Sequence, residues 1–304
     1  MKNQPLVSII MNCYNGQDYL EQALNSIISQ TYKNWELIFW DNKSEDKSVE
    51  IFKKYKDKRF KFFSAENHTI LYEARNLAIQ KTSGELIAFL DTDDYWFSDK
   101  LEKQIPLFDN KDIGLVYGNC WLYSKNNFFK KKVIFSKKKL PKGMITNSLL
   151  KEYKVGLSTL IIKKSFLKNI EKVFDVNYNL LADFKFVIEF STKYKFDCVQ
   201  EAVGVYRNHQ KQISRIFFDD QVKQLDDWFS KIKKSSNLQQ YGDLDILDRK
   251  IQYMKILKLI YNKKFTESMI RIVKYPLSTN KFKLILILII PEFILKYFRR
   301  YTYG

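Results

Sequence analysis

Four short, almost wholly apolar runs, each separated from the next by a polar loop and a stretch with helical spacing, leave this chain few folds to choose from. The runs are Val7-Ser8-Ile9-Ile10-Met11, Glu36-Leu37-Ile38-Phe39-Trp40, Phe60 to Phe63, and Leu86-Ile87-Ala88-Phe89-Leu90. Unbroken apolar runs of this length suit strands buried on both faces, whereas strands with one wet face alternate. Between them, Leu20, Ala23, Leu24, Ile27 and Ile28 follow the i, i+3, i+4, i+7, i+8 pattern of an amphipathic helix, and Val49 to Tyr55 and Leu71 to Gln80 also read as helical. Strand and helix in alternation predict an α/β fold, with a mostly parallel sheet flanked by helices on both faces.

In such sheets ligands bind beyond the carboxyl ends of the strands. That rule puts Asn12-Cys13-Tyr14-Asn15, Asp41-Asn42 and Asp91-Thr92-Asp93-Asp94 on one rim. Three carboxylates packed at the exit of a buried strand repel one another unless a cation sits among them. Asp is also an ordinary turn and helix-start former, because its carboxylate accepts backbone N–H bonds, so the cluster alone does not decide. Polar groups at three strand ends point to a nucleotide site. The chain has only nine glycines and neither a G-x-G-x-x-G nor a Walker A loop, so a metal would have to neutralise the phosphates.

Five segments in order resemble the motifs of family 2 glycosyltransferases with the GT-A fold, a Rossmann-related architecture. They are Val7 to Asn15, Ser29-Gln30-Thr31-Tyr32, Asp41-Asn42-Lys43-Ser44, Glu73-Ala74-Arg75-Asn76, and Gly84 to Asp94, with weaker matches to about Ser214. The resemblance implies an inverting transferase using a nucleoside-diphosphate sugar. It implies that Asp41 and Asn42 contact the donor's base, with Asn12 and Tyr14 lining the same pocket; relatives often carry Asp at the second of the paired positions, so Asn42 leaves the base open. Arg75 corresponds to an arginine that reaches the donor, although a helix-surface ion pair is the plainer reading. The acidic cluster corresponds to the D-x-D signature that holds Mn²⁺ or Mg²⁺, with the metal on Asp93 or Asp94 and Asp91 in support.

The second half would supply the acceptor side. Leu157 to Ile162 reads as a strand, and Leu180 to Ile188 as the start of a helix with apolar residues at 180, 184, 187 and 188. Asp183 there could simply favour the helix N-terminus. The segment also resembles the family's Glu-Asp motif, whose Asp is the general base, with Ala182 in place of the Glu. Tyr206-Arg207-Asn208-His209 resembles a Tyr-Arg-x-His segment, which makes His209 a candidate metal or diphosphate ligand; a lone loop histidine is more often structural. The expected organisation is a catalytic domain over 1–215, with a donor and metal half (1–112) and an acceptor half (113–215), then a helical basic region over 216–304.

The 304 residues, 45% hydrophobic and 16% aromatic, can build a substantial core. Three cysteines with no C-x-x-C pair argue for a reducing compartment, and no apolar leader follows Met1, so the expectation is a cytoplasmic protein. The net charge is +18, and residues 251–304 carry eleven Lys/Arg against two acids. Lys130 to Lys132 and Lys137 to Lys139 read as solvated faces. Nucleic-acid binding could use this charge but leaves the acidic rim unexplained, and no nucleic-acid partner is expected. A nucleotidyltransferase or a non-catalytic nucleotide-binding scaffold is the remaining rival.

The tail adds helical patterns at Gln221 to Phe229 and Leu247 to Tyr261, and a cap at Ser278-Thr279-Asn280. Seven apolar residues, Leu284 to Ile290, precede Pro291 and Glu292, with Lys281, Lys283, Lys296, Arg299 and Arg300 around them. A spanning helix needs about 20 apolar residues. Residues 281–300 therefore read as lying on an anionic membrane surface, peripheral at the inner face of the cell membrane, which suits a glycan or lipid-linked acceptor. A helix docked on the catalytic domain or a homodimer contact is the alternative.

Overall fold

The computed structural model describes residues 4–125, 130–209, 218–234 and 244–290. The chain divides into two compact units, Met1–Asn208 and His209–Gly304.

The first unit is built on a nine-stranded sheet of order β3 (Phe60–Ser64), β2 (Trp35–Asp41), β1 (Val7–Cys13), β4 (Leu86–Phe89), β8 (Ile161–Lys163), β6 (Ile113–Lys125), β9 (Lys195–Asn208), β5 (Tyr95–Trp96), with β7 (Lys130–Ile134) paired to β6. Strands β1 (Val7–Cys13), β2 (Trp35–Asp41), β3 (Phe60–Ser64) and β4 (Leu86–Phe89) are mutually parallel, as their apolar runs predict. Helix α1 (Leu20–Ile28) lays Leu20, Ala23, Leu24 and Ile27 on one face of this sheet with Phe52 of α2 (Ser48–Lys53). Each of the Leu, Ile and Phe side chains so taken from water contributes about 1.5–3 kcal/mol. Helix α3 (Leu71–Gln80) turns Tyr72, Ala74, Arg75, Asn76 and Ala78 inward.

The register aligns Cys13 with Asp41 and Asp41 with Ser64, so the strand exits end together. Both strands run further than the sequence reading set them: Asn12 and Asp41 are the last strand residues but one and the last, respectively, because Asn42 N–H still donates to Cys13 C=O at 2.7 Å. At the opposite ends, Glu36 holds three strands in place. It accepts from Ser8 Oγ (2.5 Å) and Ser83 N–H (2.7 Å) and pairs with Lys61 (2.5 Å), while Gly84 N–H donates to Ser8 Oγ. Only a glycine fits at 84, since a Cβ would stand 2.5 Å from Leu6 O.

Past β4 the sheet becomes mixed. Short β5 (Tyr95–Trp96) and helix α4 (Lys100–Gln104) lead to a long strand β6 (Ile113–Lys125) and its antiparallel partner β7 (Lys130–Ile134). Helix α5 (Thr146–Lys151), β8 (Ile161–Lys163), α6 (Ala182–Ser191) and β9 (Lys195–Asn208) follow. The segment 157–162, which reads as one strand, divides instead: Leu157–Thr159 is a 3-10 turn closed by Thr159 Oγ1 on Gly156 O, and the strand begins at Ile161. Lys137, Lys138 and Lys139 are exposed.

The second unit contains α7 (Phe218–Lys233), α8 (Leu244–Tyr261), α9 (Phe265–Lys274) and α10 (Thr279–Ile289). Ser278 caps α10 by accepting from Lys281 N–H, as its position before the apolar run predicts. Helix α9 has no counterpart in the sequence reading. No described helix is long and apolar enough to cross a membrane. Ser214 and the tail beyond Ile290, including Lys296, Arg299 and Arg300, lie outside the described residues.

Candidate active site

At the exits of β1 and β2, two loops are stitched together by backbone N–H groups and short polar side chains. Asn15 N–H donates to Ser44 Oγ, Gly16 N–H to Ser48 Oγ and Gln17 N–H to Asp46, while Asn15 Oδ1 accepts from Glu45 N–H. Asn15 and Lys43 take positive φ (52° and 71°) to close these turns. Gly16 lets the first loop lie against the acidic one, for a Cβ there would come within 2.9 Å of Thr92 Oγ1. Asp41 is buried and accepts from Ser44 N–H at 3.2 Å.

Asn42 is also buried, and its amide is spent locally. Its Nδ2 donates to Thr69 O (2.7 Å), and its Oδ1 accepts from Thr69 N–H and Oγ1. The same residue meets His68 Nδ1, 3.0 Å from Asn42 O. His68 in turn sits beside the exposed Tyr14, ring centroids 4.2 Å apart. Asn42 therefore positions an aromatic pair at the rim. His68 is a residue that sequence reasoning left unassigned; its only signal lies in this contact. Asn12 is nine-tenths buried, and neither atom of its amide has a partner, nor does Nε1 of its register neighbour Trp40.

Beyond β4, Asp91, Asp93 and Asp94 each bring a carboxylate oxygen within 4.8 Å of the others. Asp94 N–H donates to Asp91 O, which folds the loop back on itself. Asp94 is wholly buried and accepts from Ser158 Oγ (2.6 Å) and Arg207 N–H (2.9 Å). Burial, then the charges of Asp93 and Asp91, push its carboxyl well above the ordinary range. Asp91 is raised as well, by burial first, against the pull of Arg75 and with a push from Asp93. The Arg207 guanidinium lies between the Tyr19 and Tyr95 rings (4.7 and 4.8 Å) and donates to Asp93 O and Gln22 Oε1. Sequence reasoning quoted Arg207 inside a motif without giving it a role.

Helix α3 joins this cluster to α6. Tyr72, Arg75 and Asn76 share its buried face at i, i+3 and i+4. Arg75 pairs with Asp91 at 2.5 Å, and Asn76 clamps both the N–H and C=O of Phe174 on the approach to α6. Burial first and the nearby charge of Asp183 second hold the Tyr72 phenol protonated. Asp183, half-buried in the first turn of α6, is close enough for its charge to act on both Asp91 and Arg75. The structure thus assembles Asp91, Asp93, Asp94, Arg75 and Asp183. Among the described residues these three aspartates are the one group of three or more potential ligands. His209, half-buried directly after β9, is outside it.

The donor set fits a hard divalent cation. It is all oxygen and carries excess negative charge, and burial first, then that charge, raises the Asp94 carboxyl. The family 2 glycosyl transferase model matches residues 8–169, just over half of the chain.

The chain belongs to glycosyltransferase family 2.

A relative from Escherichia coli, the UDP-Glc:alpha-D-GlcNAc-diphosphoundecaprenol beta-1,3-glucosyltransferase WfgD, is 35% identical over 53% of this chain and 62% of its own length. The uncharacterized glycosyltransferase MJ1057 of Methanocaldococcus jannaschii is 32% identical over 70% of this chain and 75% of its own length. The family 2 chain spans less than two thirds of WfgD and 48% of an uncharacterized Haemophilus influenzae glycosyltransferase. Among solved structures, S. aureus TarS 1-349 in complex with UDP-GlcNAc superposes with a TM-score of 0.65 at 18% identity, over 89% of this chain and 81% of that one. The Pyrobaculum calidifontis mannosyltransferase PcManGT, in complex with GDP-Man and Mn2+, gives 0.61 at 16% identity over 94% and 79%. The fold of this family 2 member is accordingly GT-A-like.

Proposed function

We propose that the protein is a metal-dependent, inverting glycosyltransferase that moves a sugar from a nucleoside-diphosphate donor to a hydroxyl of a lipid-linked or glycan acceptor. The observation that carries this reading is the convergence of Asp91, Asp93, Asp94, Arg75 and Asp183 at one end of the parallel strands. The complexes of TarS with UDP-GlcNAc and PcManGT with GDP-Man and Mn2+ support the donor class and the metal, and WfgD's acceptor supports a lipid-linked one.

Asp93 or Asp94, with Asp91 in support, would hold Mn²⁺ or Mg²⁺, which would supply charge neutralisation for the departing diphosphate. Tyr14, backed by His68, offers a stacking face to the base, and Asp41 and the unpartnered Asn12 amide offer polar contacts beside it. Asn42 acts by placing His68. Arg75 fixes Asp91 in the cluster. The acceptor oxygen attacks the anomeric carbon as the bond to the diphosphate breaks; its proton passes to the Asp183 carboxylate, and the nucleoside diphosphate leaves as the anion. Tyr72 lies near that carboxylate. His209 is a further candidate contact for the diphosphate. The setting is surface-glycan assembly at the cytoplasmic face of a membrane.

Incubating the protein with a panel of nucleotide sugars and a polyprenyl-diphosphate-linked acceptor, with Mn²⁺ or EDTA, tests the reading. Release of nucleoside diphosphate with glycosylated acceptor, abolished by EDTA, is the expected result. Pyrophosphate release would assign nucleotidyl transfer instead, and neither product would leave a nucleotide-binding scaffold.

A further inference from the structure

Nine of the fifteen large apolar side chains exposed among the described residues fall within residues 265–289. Helix α9 buries Ser268 and Ile272 against the second unit's core and turns Phe265, Met269, Ile270 and Val273 outward, at i, i+4, i+5 and i+8. Leu277, in the connection, is 81% exposed. Helix α10 repeats the arrangement: Leu284 joins the same core, while Phe282, Ile285, Leu286 and Ile289 face away at i, i+3, i+4 and i+7. Both helices therefore carry two apolar stripes, and only one of each is used internally. Lys281 Nζ fastens the pair by donating to the carbonyls of Val273 and Tyr275.

Exposed apolar side chains gathered on two helices that share one core mark an interaction site. Charge selects the occupant. Residues 262–290 contain six Lys/Arg and one acid, Glu267. A second copy of this face would set like charge against like charge, whereas an anionic lipid surface complements both the outward apolar stripe and its cations. We infer that α9 and α10 together form a docking face for an anionic phospholipid bilayer, with Phe265, Val273, Leu277 and Leu286 entering the headgroup region. The face begins well before residue 281 and uses a helix that the sequence reading left out. It stands apart from the transfer reading, since no residue in it belongs to the candidate active site.

The test is flotation of the full chain with vesicles of phosphatidylcholine alone or mixed with phosphatidylglycerol. Binding is expected only to the mixed vesicles and should weaken with added salt. Val273→Asp with Leu286→Asp should weaken it by at least about tenfold. Lys274→Gln with Lys283→Gln should abolish the preference for anionic lipid. Circular dichroism checks that the fold is kept, and turnover of donor on a water-soluble acceptor should not change. Equal binding by the wild type and the Asp variant overturns the inference. So does a wild-type dimer in sedimentation that the Asp variant splits while no vesicles bind. Loss of transfer with vesicle binding intact would remove the proposed activity and leave this face standing.

Discussion

Arg75 on α3 and Asp91 at the exit of β4 form an ion pair of 2.5 Å in which the arginine side chain is 5% exposed and the aspartate 32%. The pair compensates one of three crowded carboxylates. Arg75→Met should therefore cost about 3 kcal/mol in EDTA, the lower end for breaking a buried pair, because Asp91 keeps some access to water. With saturating Mn²⁺ the loss should shrink, since the cation takes over the compensation. Urea unfolding under both conditions checks this, and equal losses would mean that no cation touches Asp91.

Asp93 and Asp94 should separate in the same assay. Both carboxylate oxygens of Asp94 are engaged, by Ser158 and by Arg207 N–H, so Asp94→Ala orphans buried donors and should destabilise the protein by about 1–3 kcal/mol even without metal. Asp93→Asn takes one negative charge out of the cluster. It should remove the gain that Mn²⁺ brings, about 2.7 kcal/mol at a hundredfold excess over Kd. A thermal-shift titration of both variants reads the difference.

The half of the site on β1, β2 and β4 was legible because these strands are continuous apolar runs and parallel sheets gather their ligands at one end. Asp183 at the start of a helix was legible too, but the long strands of the acceptor half were not. Strands β6 and β9 pair with register shifts around Gly118, Asn119 and Trp121, which break the period-2 pattern that would have marked them. Tyr72 and Arg207 matter through partners distant in the chain, Asp183 for one and Tyr19, Tyr95 and Asp93 for the other, so no local spacing announces them. Helix α9 was legible and overlooked, since Phe265, Met269, Ile270 and Val273 recur at the helical spacing i, i+4, i+5 and i+8; what the sequence did not show is that this stripe faces outward.

Asp183→Asn should retain donor binding and lose transfer by about 10²- to 10⁴-fold, the usual worth of a positioned base. Tyr72→Phe should cost less, and its effect should appear in kcat and in the pH profile more than in donor affinity, because the phenol it removes lies within reach of the Asp183 charge. Wild-type turnover by Asp183→Asn would move the base elsewhere.

The Glu36 network gives stability a definite pH dependence. Burial alone would raise this carboxyl, but Lys61, Ser8 and Ser83 N–H outweigh it and hold Glu36 below its ordinary range. A depressed folded pKa contributes stability that is complete above the unfolded value, about 4.3, and lost as pH falls through the folded one. Glu36→Gln should thus cost about 1–3 kcal/mol at neutral pH. The gap to wild type should close in strong acid, as urea midpoints across the range would show.

The Tyr14–His68 contact predicts how the donor base is held. Stacking of a base on an aromatic ring is worth about 1–3 kcal/mol by alanine substitution, so Tyr14→Ala should weaken UDP or GDP binding by that amount with Mn²⁺ present. His68 lies 4.2 Å from the Tyr14 ring and is anchored through Asn42. If it acts by fixing that ring, His68→Ala should weaken binding less, and the double variant should lose less than the two single losses combined. Residues in contact typically couple by about 0.5–3 kcal/mol in such a cycle. Calorimetric affinities for the four proteins decide the matter: additive losses would make His68 an independent contact, and no loss from Tyr14→Ala would move the base away from this rim.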